Sequence, residues 1–257
     1  MIDPERRNES RSLRAFVLCG GLGMRLRTVL SDRPKSMAPV AGVPFLELLL
    51  QMLRGEGIHE VVLGTGHMAE QIERHFGNGR GLDLSIRYSR ENEPMGTGGA
   101  LRLAEELLSD PVVVLNGDSY VEWRLGSLLK LFDEKDAALV MVLQAVMDVS
   151  RYGSVTINSD GRVIEFVEKG RRAGAGLINA GVYLLRKEIV AGLPAGKAVS
   201  LEKDVFPELL SGKVYGFVSG GLFIDIGIPA DLERAQTLLA PQARAADGGK
   251  ALAKPAR

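Results

Sequence analysis

Through its first half the chain alternates apolar runs with segments of helical periodicity. "AFVLCG" (15–20) is continuously apolar, as a strand covered on both faces must be. "FLELLLQMLRGEG" (45–57) repeats its apolar positions at helical spacing and ends on glycine. The same reading predicts a strand at "EVVLGTG" (60–66), a helix at "MAEQIERHFG" (68–77) and an alternating strand at "LSIRYS" (84–89). "GALRLAEELL" (99–108) predicts a further helix, and "PVVVLNGDS" (111–119) a strand ending in polar residues. This alternation implies a parallel sheet with helices on both faces. Ligands of such sheets bind beyond the carboxyl ends of the strands.

After residue 135 the texture changes. "AALVMVLQAV" (137–146), "GSVTIN" (153–158), "VIEFVEK" (163–169), "INAGVYLLR" (178–186) and "VYGFVSGGLFIDIG" (214–227) read as closely spaced strands with few helices between. The sheet should therefore be mixed, mainly parallel at first and antiparallel-rich later. No Pro/Ser-rich linker divides the chain, so a single α/β domain is expected over 14–239, with halves at about 14–135 and 136–239. Residues 1–13 are polar, and 240–257 are Ala/Gly/Lys-rich without an amphipathic face; both read as tails.

Composition narrows the chemistry. The 257 residues carry 32 basic and 32 acidic side chains, which argues against holding nucleic acid by bulk charge. The single cysteine, Cys19, excludes an internal disulfide and a Cys-rich metal site, and three scattered histidines make a poor zinc centre. No apolar run reaches the length of a membrane span and the N-terminus lacks a signal-peptide core, so a cytoplasmic protein without a membrane partner is expected.

The densest chemistry lies in "CGGLGMRLRTVLSDRPKSM" (19–37), directly after the first strand. It lacks the Gly-Lys-Ser/Thr ending of a P-loop, and Leu26 stands where a dinucleotide fingerprint needs its third glycine. What remains is a glycine loop whose amides can approach an anion, followed by Arg25 and Lys35. A triphosphate whose pyrophosphate must be neutralised suits that set; a tight turn with surface basic residues is the plainer alternative. Asp118, at the end of an apolar strand, suits Mg²⁺ or a turn. Asp225, enclosed by Phe223 and Ile226, needs either a metal or a cationic partner. Lys169 could hold a second phosphate, and Glu168 and Asn179 could bind hydroxyls of a polyol. The glycines of "EPMGTGGAL" (93–101) could admit a flat base or merely start a helix.

In order along the chain, "GGLGMRL", "RPKSMAPV", "NGDS", "VEKG", "INAGVYL" and "DIGIP" resemble the motifs of the sugar-1-phosphate nucleotidyltransferase family, over about 14–237. The resemblance implies a Rossmann-like nucleotide-binding half joined to a sugar-phosphate-binding half. "EPMGTGGAL" is similar to the corresponding segment of guanylyltransferases acting on manno-configured sugars. With "SRYGSV", "GLINAGVYLL" and "FIDIGIPADLERA" it most resembles D-glycero-α-D-manno-heptose 1-phosphate guanylyltransferases, and next mannose-1-phosphate guanylyltransferases. The partners implied are GTP and a sugar 1-phosphate, the product serves bacterial surface polysaccharide, and quaternary structure stays open, a homodimer included. By resemblance, Leu18, Cys19, Gly20, Gly21, Gly23, Gly96, Thr97 and Asn116 hold the nucleotide, while Arg25 and Lys35 hold the triphosphate. Asp118 and Asp225 bind Mg²⁺, Lys169 holds the sugar phosphate, and Gly153, Glu168 and Asn179 surround the sugar. Two positions depart from the pattern: Met24 replaces a threonine and Gly170 a proline. A non-catalytic nucleotide-sugar-binding homologue and a dehydrogenase remain as rivals.

Overall fold

The computed structural model describes residues 12–21, 23–26 and 29–251, with side chains described as far as Ala246. Residues 1–11 of the expected N-terminal tail, and 252–257 of the C-terminal one, lie outside the described residues.

The central sheet begins as predicted. Strands β1 (Arg14–Leu18), β4 (Glu60–Thr65), β5 (Ser85–Arg90) and β6 (Val112–Asn116) run parallel in the order β5-β4-β1-β6. They are linked by helices α1 (Phe45–Gly55), α2 (Ala69–Phe76) and α3 (Gly96–Leu103), with a small hairpin of β2 (Pro39–Val40) and β3 (Val43–Pro44) before α1. Because strand side chains alternate, Ala15 and Val17 face one apolar cluster while Phe16 faces another. Leu49 and Leu53 of α1, with Ile72 of α2, cover the first face; Ala100 and Leu101 of α3 cover the second. Strand order reverses between β1 and β6, where Leu18 pairs with Asn116. This switch point is where a doubly wound sheet opens a crevice.

β6 leads into β7 (Ser119–Val121), α4 (Leu125–Glu134) and β8 (Leu139–Val146); a ribbon of β9 (Ser154–Ile157) and β10 (Val163–Val167) follows. The long β11 (Gly176–Leu185) is antiparallel to β6, β8 and β9 and so joins the two halves of one nine-stranded sheet. Then come α5 (Lys187–Ala191), a π-helical turn (Leu201–Val205), α6 (Phe206–Leu209), β12 (Val214–Ser219), β13 (Phe223–Asp225), α7 (Pro229–Leu238) and α8 (Ala240–Ala251). β12 lies parallel to β8. The second half is thus antiparallel-rich, and the fold is a Rossmann-like α/β domain with a mixed sheet.

Three expectations need correction. The run 214–227 is two strands in different sheets, because the chain turns at Gly220–Gly221 and β13 crosses to pair with β7. Ser219 ties that turn, its hydroxyl donating to the Glu122 carbonyl (2.6 Å) and accepting from the Gly221 amide (3.1 Å). The helix expected at 99–108 starts earlier, at Gly96, and α-helix ends at Leu103. Residues 240–251 are helical rather than a tail, and the small side chains Ala243 and Ala246 are buried against the core beside α1.

Candidate active site

The floor of the site is built by three strand ends. The Cys19 amide donates to the Gly64 carbonyl (2.8 Å) and the Gly117 amide to that of Leu18 (3.0 Å). These bonds fix where the glycine loop leaves the sheet. Gly23 adopts φ 59°, after which Met24–Leu26 form one 3₁₀ turn anchored by buried Leu26. Met24 and Arg25 face outward. A cleft of about 610 Å³ opens here, lined by Leu18, Cys19, Gly20, Gly21, Gly23 and Arg25 on one side and Gly96, Thr97 and Asn116 on the other. Every residue that the resemblance assigned to the nucleotide borders this one space. Asn116 holds its side-chain oxygen buried with no hydrogen-bond partner among the described residues.

Gly96 begins α3 at φ 69°, and a Cβ there would stand 2.5 Å from the Val199 carbonyl oxygen. The amides of Gly98 and Gly99 donate to that same carbonyl (2.8 and 3.2 Å). The glycines therefore serve a close backbone approach between the nucleotide-side helix and a segment of the second half.

Deeper in the cleft, the Lys35 ammonium donates to Asp118 Oδ2 at 2.5 Å, and the Ser119 hydroxyl donates to Asp118 Oδ1 at 3.1 Å. Burial works against the Asp118 charge, but Lys35 and these hydrogen bonds outweigh it and hold the carboxyl below the usual range. The β7–β13 ladder sets Asp225 opposite Ser119, and the Ile226 amide donates to the Asp118 carbonyl (2.9 Å). The two aspartates so become neighbours although 107 positions separate them (225 − 118). Burial first, and then the negative charge of Asp118, push the Asp225 carboxyl up to about 6. Its Oδ1 accepts from the Gly227 amide at 2.5 Å.

A second pocket, of about 280 Å³, shares Arg25, Lys35, Thr97, Asn116, Asp118 and Gly227 with the first, so the two form one continuous cleft. Gly153, Glu168, Lys169, Asn179 and Asp225 line this second part. β11 bulges between Asn179 and Tyr183, with Gly181 at φ 79°. The bulge turns Asn179 back on its own strand: its amide nitrogen donates to the Tyr183 oxygen (2.6 Å) and its Oδ1 accepts from the Gly181 amide (3.0 Å). Glu168 is ion-paired with Lys203 at 3.2 Å.

Several lining residues escaped the sequence reading. Glu91 follows β5 and borders the nucleotide side; its Oε2 accepts from the Met95 amide (2.8 Å), and burial pushes its carboxyl above the usual range. Its position just past a strand's carboxyl end was a usable signal. Arg151 and Tyr152 border the second pocket, with Arg151 ion-paired to buried Asp231 and its guanidinium 5.6 Å from the Tyr152 ring centre. Ser200, Glu202 and Lys203 line the same pocket from the π-helical turn and its cap; no pattern in "SLEKDV" announced them.

The model of the family described as nucleotidyl transferase matches residues 14–242. A D-glycero-alpha-D-manno-heptose 1-phosphate guanylyltransferase of Aneurinibacillus thermoaerophilus is 43% identical over 229 residues, covering 87% of this chain and 97% of that protein. A mannose-1-phosphate guanylyltransferase of Mycobacterium tuberculosis is 38% identical, over 86% of this chain and 62% of that one. The crystal structure of HddC from Yersinia pseudotuberculosis complexed with GMP-PN superposes with a TM-score of 0.79 at 36% identity, covering 88% of this chain and 99% of that one.

Proposed function

The chain belongs to the nucleotidyl transferase family and is a sugar-1-phosphate nucleotidyltransferase; from that premise we propose that it converts GTP and D-glycero-α-D-manno-heptose 1-phosphate to GDP-heptose and pyrophosphate. The observation that carries this reading is the continuous cleft, whose larger and smaller parts meet at the Lys35–Asp118 pair. A nucleotide fits the part under the β1 loop, and a sugar phosphate the part beside Lys169. Relatives matched along nearly their whole length carry the heptose name, which favours heptose over mannose.

In this reading an oxygen of the sugar phosphate attacks the α-phosphorus of GTP in line, a new P–O bond forms, and the α–β anhydride bond breaks to release pyrophosphate. No covalent enzyme intermediate is needed, so the protein's contribution is positioning and charge neutralisation. Arg25, exposed at the cleft mouth, meets the outer phosphates. Lys35 neutralises charge between the two parts, and Lys169 positions the attacking phosphate. Asp118 and Asp225 together fit Mg²⁺: two hard carboxylates brought side by side, with no third His, Cys, Asp or Glu grouped with them among the described residues. Such a sparse set leaves coordination positions for phosphate oxygens and water. When bound, Mg²⁺ supplies charge stabilisation at the phosphates.

The product is assigned to surface polysaccharide synthesis in the cytoplasm. Among the described residues no helix is long and apolar enough to cross a membrane. The test is pyrophosphate release with each of four NTPs against heptose, mannose and glucose 1-phosphates. GTP with the heptose phosphate should give the highest kcat/KM; a maximum with mannose 1-phosphate would move the assignment to the mannose enzyme.

A further inference from the structure

Thr97 stands at the start of α3 in the nucleotide half, yet its hydroxyl is used by the other half. It accepts from the Leu201 amide at 2.8 Å and donates to Glu202 Oε2 at 2.8 Å. Ser200 does the same from below: its oxygen accepts from the Lys203 amide (3.2 Å) and its hydroxyl reaches Glu202 Oε2 at 3.1 Å. Because a carboxylate oxygen only accepts, each hydroxyl gives its hydrogen to Oε2 while its own oxygen takes a backbone N–H. The Ser200 amide is in turn held by Asp204 (2.8 Å). Glu202 is thus fixed on a π-helical turn, a local geometry that recurs at functional sites.

Oε1 of Glu202 has no hydrogen-bond partner among the described residues, on a side chain that lines the smaller pocket with Glu168 and Asn179. Glu202 also lies close to Tyr183, whose phenol burial pushes far up with the Glu202 charge adding to the effect, and Tyr183 is the residue that Asn179 holds. A carboxylate oxygen held open in this way accepts hydroxyl hydrogens and repels phosphate, which fits the polyol rather than the phosphate end of a sugar phosphate.

We infer that Glu202 reads a hydroxyl of the sugar and that Thr97 is its positioning residue, carrying the order of the nucleotide-side helix into the sugar pocket. This rests on the sugar-phosphate reading of the cleft, but its test needs no turnover. The probes are GDP-mannose and GDP, titrated by calorimetry into the full chain. Wild type should bind GDP-mannose more tightly than GDP. In Glu202→Gln, the two hydroxyl donors hold the amide oxygen at the Oε2 position, which places NH₂ where Oε1 was and offers the sugar a donor instead of an acceptor. That variant should bind GDP-mannose about tenfold more weakly and GDP within about twofold of wild type, the scale of one charge-assisted hydrogen bond. Thr97→Val, which takes one hydroxyl donor from Oε2, should lower the ratio of GDP-mannose to GDP affinity in the same direction.

Equal weakening of both ligands would make Glu202 a structural staple and overturn the inference, as would no change in either. A wild type that binds GDP-mannose no better than GDP would overturn it too. A wild type showing the expected preference but releasing no pyrophosphate would instead defeat the guanylyltransferase reading and leave this one standing.

Discussion

The Lys35 ammonium and the Asp118 carboxylate meet at 2.5 Å between the two parts of the cleft, joining motifs 83 positions apart. Each side chain is only partly exposed, 17% and 35%, so the pair sits between a surface bridge and a buried one. Lys35 is thereby poised beside the carboxylate that would share its phosphates. Asp118→Asn removes the negative charge while keeping the shape. Turnover should fall by about 10²- to 10³-fold, the scale of losing one electrostatic stabiliser. Stability should fall by only roughly 1–2 kcal/mol, between the values for exposed and buried pairs. Kinetics and a urea melt on the same preparation check both; near wild-type kcat would remove Asp118 from the chemistry.

Gly181→Ala tests the β11 bulge. An added Cβ would lie 2.7 Å from Asn116 Nδ2 at a backbone φ of 79°, so strain and collision act together. The left-handed conformation alone costs about 1–2 kcal/mol for a residue with a Cβ. A Tm lower by roughly 2–4 °C per kcal/mol lost is expected for a domain of this size. The loss of kcat/KM should be felt with both substrates, because Asn116 borders both parts of the cleft. An unchanged Tm would show that Asn116 yields freely.

Much of this site was legible because strand ends are legible. The Leu18–Gly21 loop and Asp118 follow apolar runs, and the rule placing ligands at carboxyl ends located them, while Asp225 stood out as a charge enclosed by apolar neighbours. What the pattern lacked was distance. Asp225 reaches Asp118 only because the chain turns at Gly220–Gly221 and crosses to β7. Thr97 borders the larger part of the cleft as expected, but that its hydroxyl is held by Leu201 and Glu202 is a tertiary bond no spacing reveals. α8 was missed for a different reason: Ala243 and Ala246 pack closely with almost no side-chain volume, so the helix carries little apolar signature.

Cys19 lines the larger part of the cleft but is no nucleophile. It is 5% exposed, and burial pushes its thiol up to about 12, with the nearby Asp118 charge adding to the shift against a lowering contribution from Ser36. The folded protein therefore keeps the thiol protonated where an unfolded chain ionises near 8.5. Since the folded pKa is raised, the native state binds the extra proton above the unfolded value. The stability tied to it is whole below about 8.5 and declines as pH rises toward about 12. Iodoacetamide at pH 8 should label Cys19 slowly in the native protein and rapidly in guanidinium. Fast native labelling would mean that the β1 loop opens.

Met24 stands where the family pattern carries threonine, within the loop proposed to cradle the phosphates. A threonine hydroxyl could donate to a phosphate oxygen; methionine offers only its backbone amide. A packing role for the sulfur side chain would require burial, and Met24 is 68% exposed, with the turn anchored instead by Leu26 at 1%. The residue is therefore free to change without disturbing the core. Met24→Thr should leave the Tm unaltered within error and keep or modestly raise kcat/KM for GTP, by no more than about tenfold, the yield of one added hydrogen bond. A large loss of activity would show that Met24 closes over the bound nucleotide, so that its exposure in the free protein marks a contact made only when the cleft is filled.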